Sequence, residues 1–202
     1  MSSADSPPPM LHPPAEALDA LADGTLSPVE RALLEAHLAH CPLCRRRATP
    51  AETIGGRQLA TVAPVAPPDD LLDQVLARLD ATPSDPLADW PVPPAARDEI
   101  DLDRPLDWQS LSTDCRFAEL AADDLDQVLY LVETEPEAVM PRHRHLGGER
   151  LVVLQGALDD PWGPMMLGDY RHYPAGTDHA PVMGTGVSCV GLILVRGGLE
   201  FF

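Results

Sequence analysis

The stretch His37-Leu38-Ala39-His40-Cys41-Pro42-Leu43-Cys44 sets the imidazole of His37 and two thiols within two helical turns, the ligand chemistry that zinc prefers. If residues 33–41 are helical, His37 and Cys41 lie four apart on one face and Cys44 follows at the next turn. A proline at position 42 would clash with the carbonyl of Leu38. One helix therefore ends near Cys41 and a second opens with Pro42 at its first position. A metal here would staple a helix junction. His12 is the only His or Cys upstream, twenty-five residues before His37, and it completes the set His12, His37, Cys41 and Cys44. Four protein ligands close the site, so the expected zinc is structural and its job is folding. A redox dithiol is the competing reading of the Cys41/Cys44 pair, but such pairs usually follow a strand in a thioredoxin-like fold, and no strand is expected before Cys41.

All 14 basic residues are Arg, against 32 acidic residues, for a net charge of −18. Nucleic acid is a poor partner for such a chain, whereas a basic protein surface would be steered in by its field. Residues 1–14 lack a charged n-region and an apolar run, and no later stretch approaches the length that spans a bilayer. The chain reads as cytoplasmic and free of membrane anchors. Cys115 and Cys189 lie far apart outside the motif and do not make a disulfide framework; two small buried apolar side chains are expected.

A length of 202 residues permits two small domains, and the pattern changes partway along. Residues 1–80 read as helical. Ala15 to Ala22 forms a short helix after Pro13 and Pro14, closing at Gly24. Ser27-Pro28-Val29-Glu30 is a capping box that opens the helix carrying Leu33, Leu34, His37 and Leu38. A third helix runs from Arg45 to Ala60, kinked or shortened by Pro50 and the Gly55-Gly56 pair. From Asp69, acids lead a helix whose Leu71, Leu72, Val75, Leu76 and Leu79 form one apolar stripe. Five prolines between Thr82 and Ala96 predict an extended linker over 81–97. Over 98–202 the apolar pattern shortens and alternates. Arg116 to Leu120, Gln127 to Glu133, Leu151 to Gln155 and Val187 to Val195 are the expected strands of a small barrel or sandwich, making the chain α+β.

The second half carries its own ligands. His143 and His145, two apart on a strand, face one side and can grip one ion together, and the Gly147-Gly148 pair can bring Glu149 round. His179, behind the Pro174-Ala175-Gly176 turn, would close the site from a later strand. Each histidine alone is more commonly a core or surface residue; four ligands around two turns are harder to dismiss.

His143-x-His145-x3-Glu149-x6-Gly156 resembles the first cupin motif, and Gly168-x5-Pro174-x-Gly176-x2-His179 resembles the second, both in spacing. Glu137 stands where the first motif usually opens with glycine, and Met183 where the second often ends in asparagine. The N-terminal cluster resembles the zinc-binding anti-sigma domain of bacterial regulators. Together the two modules span nearly the whole chain and resemble the ChrR-type anti-sigma factors. The resemblance implies an all-helical zinc-binding anti-sigma domain followed by a cupin β-barrel or jelly roll. It also implies zinc at both clusters, although three imidazoles and a carboxylate by themselves do not single out zinc among divalent metals. The implied partner is an extracytoplasmic-function sigma factor, masked by the helical domain, with the 71–79 stripe as candidate contact and the cupin needed for release by singlet oxygen or related oxidants. A metal-dependent cupin enzyme, a dioxygenase or isomerase, is the competing class. It would need an open coordination position and substrate-orienting groups, for which Tyr170, His172 and Tyr173 are the nearby candidates. The fused zinc domain favours regulation.

Overall fold

Ser27 starts the helix on which the molecule is assembled. Its hydroxyl accepts from the Glu30 N–H while the Glu30 carboxylate accepts from the Ser27 N–H, and Pro28 occupies a position where no intrahelical donor is needed. In the computed structural model, which describes residues 11–80, 85–100 and 104–202, the helices are α1 (Ala15–Ala22), α2 (Pro28–His40), α3 (Pro42–Leu59), α4 (Leu71–Asp80) and α5 (Pro94–Arg97). Cys41 ends α2 and caps the start of α3, as Pro42 demands. The third helix is not shortened at Pro50 or at Gly55-Gly56: α3 runs on through all three to Leu59.

Twelve strands follow among the described residues: β1 (Gln109–Ser110), β2 (Cys115–Ala122), β3 (Gln127–Thr134), β4 (His143–His145), β5 (Glu149–Gln155), β6 (Ala157–Asp159), β7 (Met165–Met166), β8 (Tyr170–Tyr173), β9 (Asp178–His179), β10 (Val182–Met183), β11 (Cys189–Arg196) and β12 (Leu199–Phe201). They form a six-stranded sheet in the order β1-β2-β3-β11-β5-β8 and two three-stranded sheets, β10-β6-β7 and β12-β4-β9. The four strands expected from sequence are β2, β3, β11 and β5, the contiguous centre of the large sheet.

Both faces of that sheet are buried. Leu129, Leu131, Val152, Leu192 and Leu194 pack with Val29, Ala32, Leu33 and Ala36 of α2, while Val132, Leu151, Val153, Ile193 and Val195 point the other way. A strand buried on both faces loses its alternation, which is why β5 and β11 read as near-continuous apolar runs. The chain is thus α+β, with N-terminal helices and a β-rich C-terminal part sharing one core.

Residues 85–100 correct the expectation of an extended linker. Leu87, Val92, Ala96 and Ile100 are buried in the same cluster as α2, and α5 packs along that helix. Arg97 donates to the Val92 carbonyl at 2.7 Å and pairs with Asp85 at 2.9 Å. Proline sets an extended path without an N–H to satisfy, so apolar residues spaced between prolines can still dock. Residues 81–84 lie outside the described residues.

The position where the first cupin motif usually has glycine shows why glycine is usual there. Glu137 adopts φ 64°, a left-handed conformation in which a side chain costs about 1–2 kcal/mol. Replacing Glu137 with Gly should therefore raise stability by about 0.5–1 kcal/mol, after the entropy glycine adds to the unfolded chain. Denaturant unfolding checks this; an unchanged or lowered midpoint would show that the strain is relieved elsewhere.

Candidate metal centres

The first cluster assembles from three local elements and one distant tie. His37 comes from the last turn of α2, Cys41 from the junction, Cys44 from the first turn of α3, and His12 from the segment leading into α1. Their ligand atoms all lie within 4.8 Å of one another. The His12 Nδ1 is 3.5 Å from the Cys41 Sγ and 3.7 Å from the Cys44 Sγ. The His37 Nδ1 lies 2.7 Å from the Gly168 carbonyl oxygen, which can only accept, so the proton sits on Nδ1 and the Nε2 lone pair is free. That Nε2 is buried and has no hydrogen-bond partner. Burial pushes the His37 imidazole down to about 4, against the Gly168 bond, and pushes the Cys44 thiol up to about 11, helped by its bond with Cys41. Two imidazoles and two sulfurs at this spacing suit zinc, which would supply the missing partner for Nε2 and displace the thiol proton.

The second cluster bridges two sheets. His143 and His145 of β4 and His179 of β9 belong to the β12-β4-β9 sheet, where His143 is in register with His179; Glu149 begins β5 in the large sheet. All four are buried and their ligand atoms lie within 4.8 Å of one another. Each ring has its outer nitrogen committed to an acceptor. His143 Nδ1 donates to the Pro141 carbonyl at 2.9 Å. The His145 Nδ1 donates at 2.9 Å to the Thr177 hydroxyl, whose own proton goes to the Pro174 carbonyl. The His179 Nδ1 faces the Asp160 carboxylate at 3.4 Å. Three bare Nε2 lone pairs consequently converge on the Glu149 Oε2, which has no partner; the His143 and His179 Nε2 atoms are 3.0 Å apart with no proton between them. Burial pushes His143 down to about 4 and His145 to about 3, and pushes the Glu149 carboxyl up to about 7. Lone pairs pointed at one another in a dry site repel unless a cation lies between them, so the donor set fits a divalent metal.

Asp160 was not legible in the sequence as part of this site. Its side chain is buried, bonds to His179 and to the Tyr173 hydroxyl through one oxygen, and takes the Arg171 guanidinium at 2.8 Å and the Trp162 N–H at 2.9 Å on the other. Burial pushes its carboxyl up, but the bonds from His179, Tyr173 and Trp162 outweigh burial and hold it below the usual range. It therefore stays charged and fixes the His179 tautomer. Asp160→Asn should weaken metal binding at the second cluster about 10- to 100-fold. The comparison is best made in an Arg171→Met background, so that no buried guanidinium is left unpaired. Equal affinity by chelator competition would remove Asp160 from this role.

One strand touches both centres. Gly168, whose carbonyl binds His37, leads into β8, and Tyr170 sets its ring edge-on to His37 while its N–H donates to the Leu11 carbonyl beside His12. Three residues on, Tyr173 points to the opposite face and lies 4.4 Å from the His179 ring, centroid to centroid. Gly168 has φ 85°, and a Cβ there would run into the His40 side chain. Of the three residues near the cupin ligands singled out in sequence, His172 is exposed and takes no part in either cluster.

Cys115 and Cys189 are buried, as expected for apolar fillers, and both pair in register with Thr134 from opposite sides. Two strand spacings, about 9–10 Å, separate their backbones, beyond disulfide reach. Burial pushes the Cys189 thiol up to about 12 and raises Cys115 as well, so neither is a ready thiolate.

Residues 15–45 match a zinc-finger family, and residues 100–196 match the ChrR Cupin-like domain. His12 precedes the first match, so its place in the cluster rests on the geometry above. The chain is 30% identical over 192 residues to the anti-sigma-E factor ChrR of Cereibacter sphaeroides, covering 91% of this chain and 88% of that protein. It is also similar to a chain in the crystal structure of Rhodobacter sphaeroides SigE in complex with the anti-sigma ChrR, at 30% identity and a TM-score of 0.66, covering 92% of this chain and 98% of that one.

Proposed function

The chain belongs to the ChrR family of anti-sigma factors, and from that premise we propose that it binds and inhibits an extracytoplasmic-function sigma factor in the cytoplasm. It is a regulator and not an enzyme. The observation that carries this reading is α4. Its Leu71, Leu72, Val75 and Leu76 are 43%, 66%, 45% and 48% exposed, an apolar stripe facing solvent while the α2 stripe is packed. The side chain of Leu79, the next position of the stripe, lies outside the described residues. An exposed helix face of this kind fits a groove on a partner, and a chain of net charge −18 favours a basic one, as a protein that meets DNA and polymerase must be. No described helix is long and apolar enough to cross a membrane.

In this reading residues 1–80 form the partner-binding helical module, with zinc held by His12, His37, Cys41 and Cys44. Residues 98–202 form a cupin barrel whose metal, zinc or another divalent ion, is held by His143, His145, Glu149 and His179. The metal of the second cluster supplies a tie between the β12-β4-β9 sheet and the large sheet. The cupin module releases the sigma factor on exposure to singlet oxygen or a related oxidant. The contacts of β8 support such coupling, because anything that shifts Tyr173 and Asp160 acts on the strand whose other end holds the outer nitrogen of His37.

Co-purification from a host lysate, followed by transcription from a promoter dependent on the captured sigma factor, tests the proposal. Capture and repression are expected. A full-length, two-metal protein that captures no sigma factor and represses nothing would overturn it.

A further inference from the structure

Each face of the large sheet borders a hollow. The one on the α2 side, about 200 Å³, is lined in part by the charged Glu30 and Arg150, whereas the one on the side of the second cluster, about 190 Å³, is almost wholly apolar. Its walls include Phe117, Val132, Met140, Ile193 and Val195, its rim carries Phe201 at 43% exposure, and its one carboxylate is Glu149. Apart from Glu149, the Tyr130 hydroxyl is the only polar side-chain group among the lining residues. A smaller hollow of about 20 Å³ adjoins it, sharing Val132, Met140, Glu149 and Ile193 and lined also by His179. Phe201 in turn lies 5.6 Å from the His143 ring. Three of the four proposed ligands thus border the space or touch its wall.

We propose that this hollow binds a medium-chain carboxylate, with the hydrocarbon tail in the hollow and the carboxylate oxygen at the metal held by His143, His145, Glu149 and His179. The inference rests on the metal reading above. Three neutral imidazoles and one carboxylate leave a divalent ion with a net positive charge, which favours a hard, anionic oxygen donor at any further coordination position. The walls select the rest of the molecule, because a polar body would lose its hydration and find nothing to replace it. Size sets the length. An apolar cavity of about 150 Å³ accepts benzene, so this one holds a tail of about seven or eight carbons.

Octanoate and acetate are the probes, titrated by calorimetry into full-length protein whose metal content has been measured. Octanoate should bind at least tenfold more tightly than acetate. Ile193→Phe should abolish the difference while the protein keeps two metals per chain. Intermolecular NMR contacts between the octanoate chain and the Val132 and Ile193 methyls should place the tail without any substitution. One metal per chain in the wild type would overturn the metal reading itself. Two metals with octanoate no tighter than acetate, octanoate bound without contacts to Val132 or Ile193, or a folded Ile193→Phe protein that binds octanoate as before, would overturn the ligand site and leave the metal reading standing.

Discussion

Replacing Cys44 with serine is expected to empty the first metal centre and abolish sigma binding. The Cys44 Sγ is fully buried, 3.7 Å from His12, and its N–H donates to the Cys41 Sγ, so the residue joins the start of α3 to both the N-terminal segment and the helix junction. Structural zinc contributes about 10–16 kcal/mol in small zinc folds, and a serine hydroxyl is neither soft nor ionised near neutrality. Zinc affinity should fall by more than about 100-fold, exceeding the loss from a missing outer-sphere partner. The pH dependence has a definite sign. Without metal the Cys44 thiol is pushed up to about 11, so zinc must displace its proton, and wild-type affinity should fall as pH falls, by about tenfold per pH unit for each proton released. Chelator competition at several pH values, with sigma pull-down in parallel, measures both effects. Sigma binding that survives complete zinc loss would make the metal irrelevant to recognition.

Leu72→Asp combined with Leu76→Asp should separate binding from stability. Both side chains are exposed on α4, so the folded chain should unfold within about 0.5 kcal/mol of wild type. If the stripe seats in a groove of the sigma factor, two buried apolar anchors worth about 2 kcal/mol each are replaced by charge, and affinity should drop by more than about 100-fold. Calorimetric titration with the purified sigma factor and thermal unfolding of the free protein give the two numbers. Undiminished affinity would move the contact off α4; a large loss of stability would mean that the stripe packs inside the molecule.

Legibility followed sequence distance. His37, Cys41 and Cys44 could be read because helical geometry fixes neighbours three and four apart, and because Pro42 forces the junction on which they meet. His12 followed by elimination, and the structure places it against both sulfurs. The long strands β2, β3, β5 and β11 carry enough apolar residues to register, whereas β4, β7, β9 and β10 have two or three residues each and make no period. The partners that orient the ligands were invisible for a different reason. Pro141, Pro174 and Gly168 act through backbone carbonyls, which carry no side-chain signature, and Asp160 is one carboxylate among the 32 acidic residues of the chain. The docking of residues 85–100 was missed because a proline-rich composition describes backbone freedom and not what the intervening Leu87, Val92 and Ala96 will meet.

By itself the sequence determined which residues gather in the two candidate clusters, the helix junction at Cys41, the helical and strand-rich halves, and the apolar face of α4, because each follows from local geometry or from motif spacing. Only the tertiary structure decided that the two halves share a core through α2, that Gly168 and β8 touch both candidate clusters, that α4 turns its stripe outward, and that an apolar hollow borders the second cluster. Those features depend on which surfaces meet across more than a hundred residues of chain. Burial and hydrogen bonding at that range reward shape and register, and neither is written in the spacing of neighbouring residues.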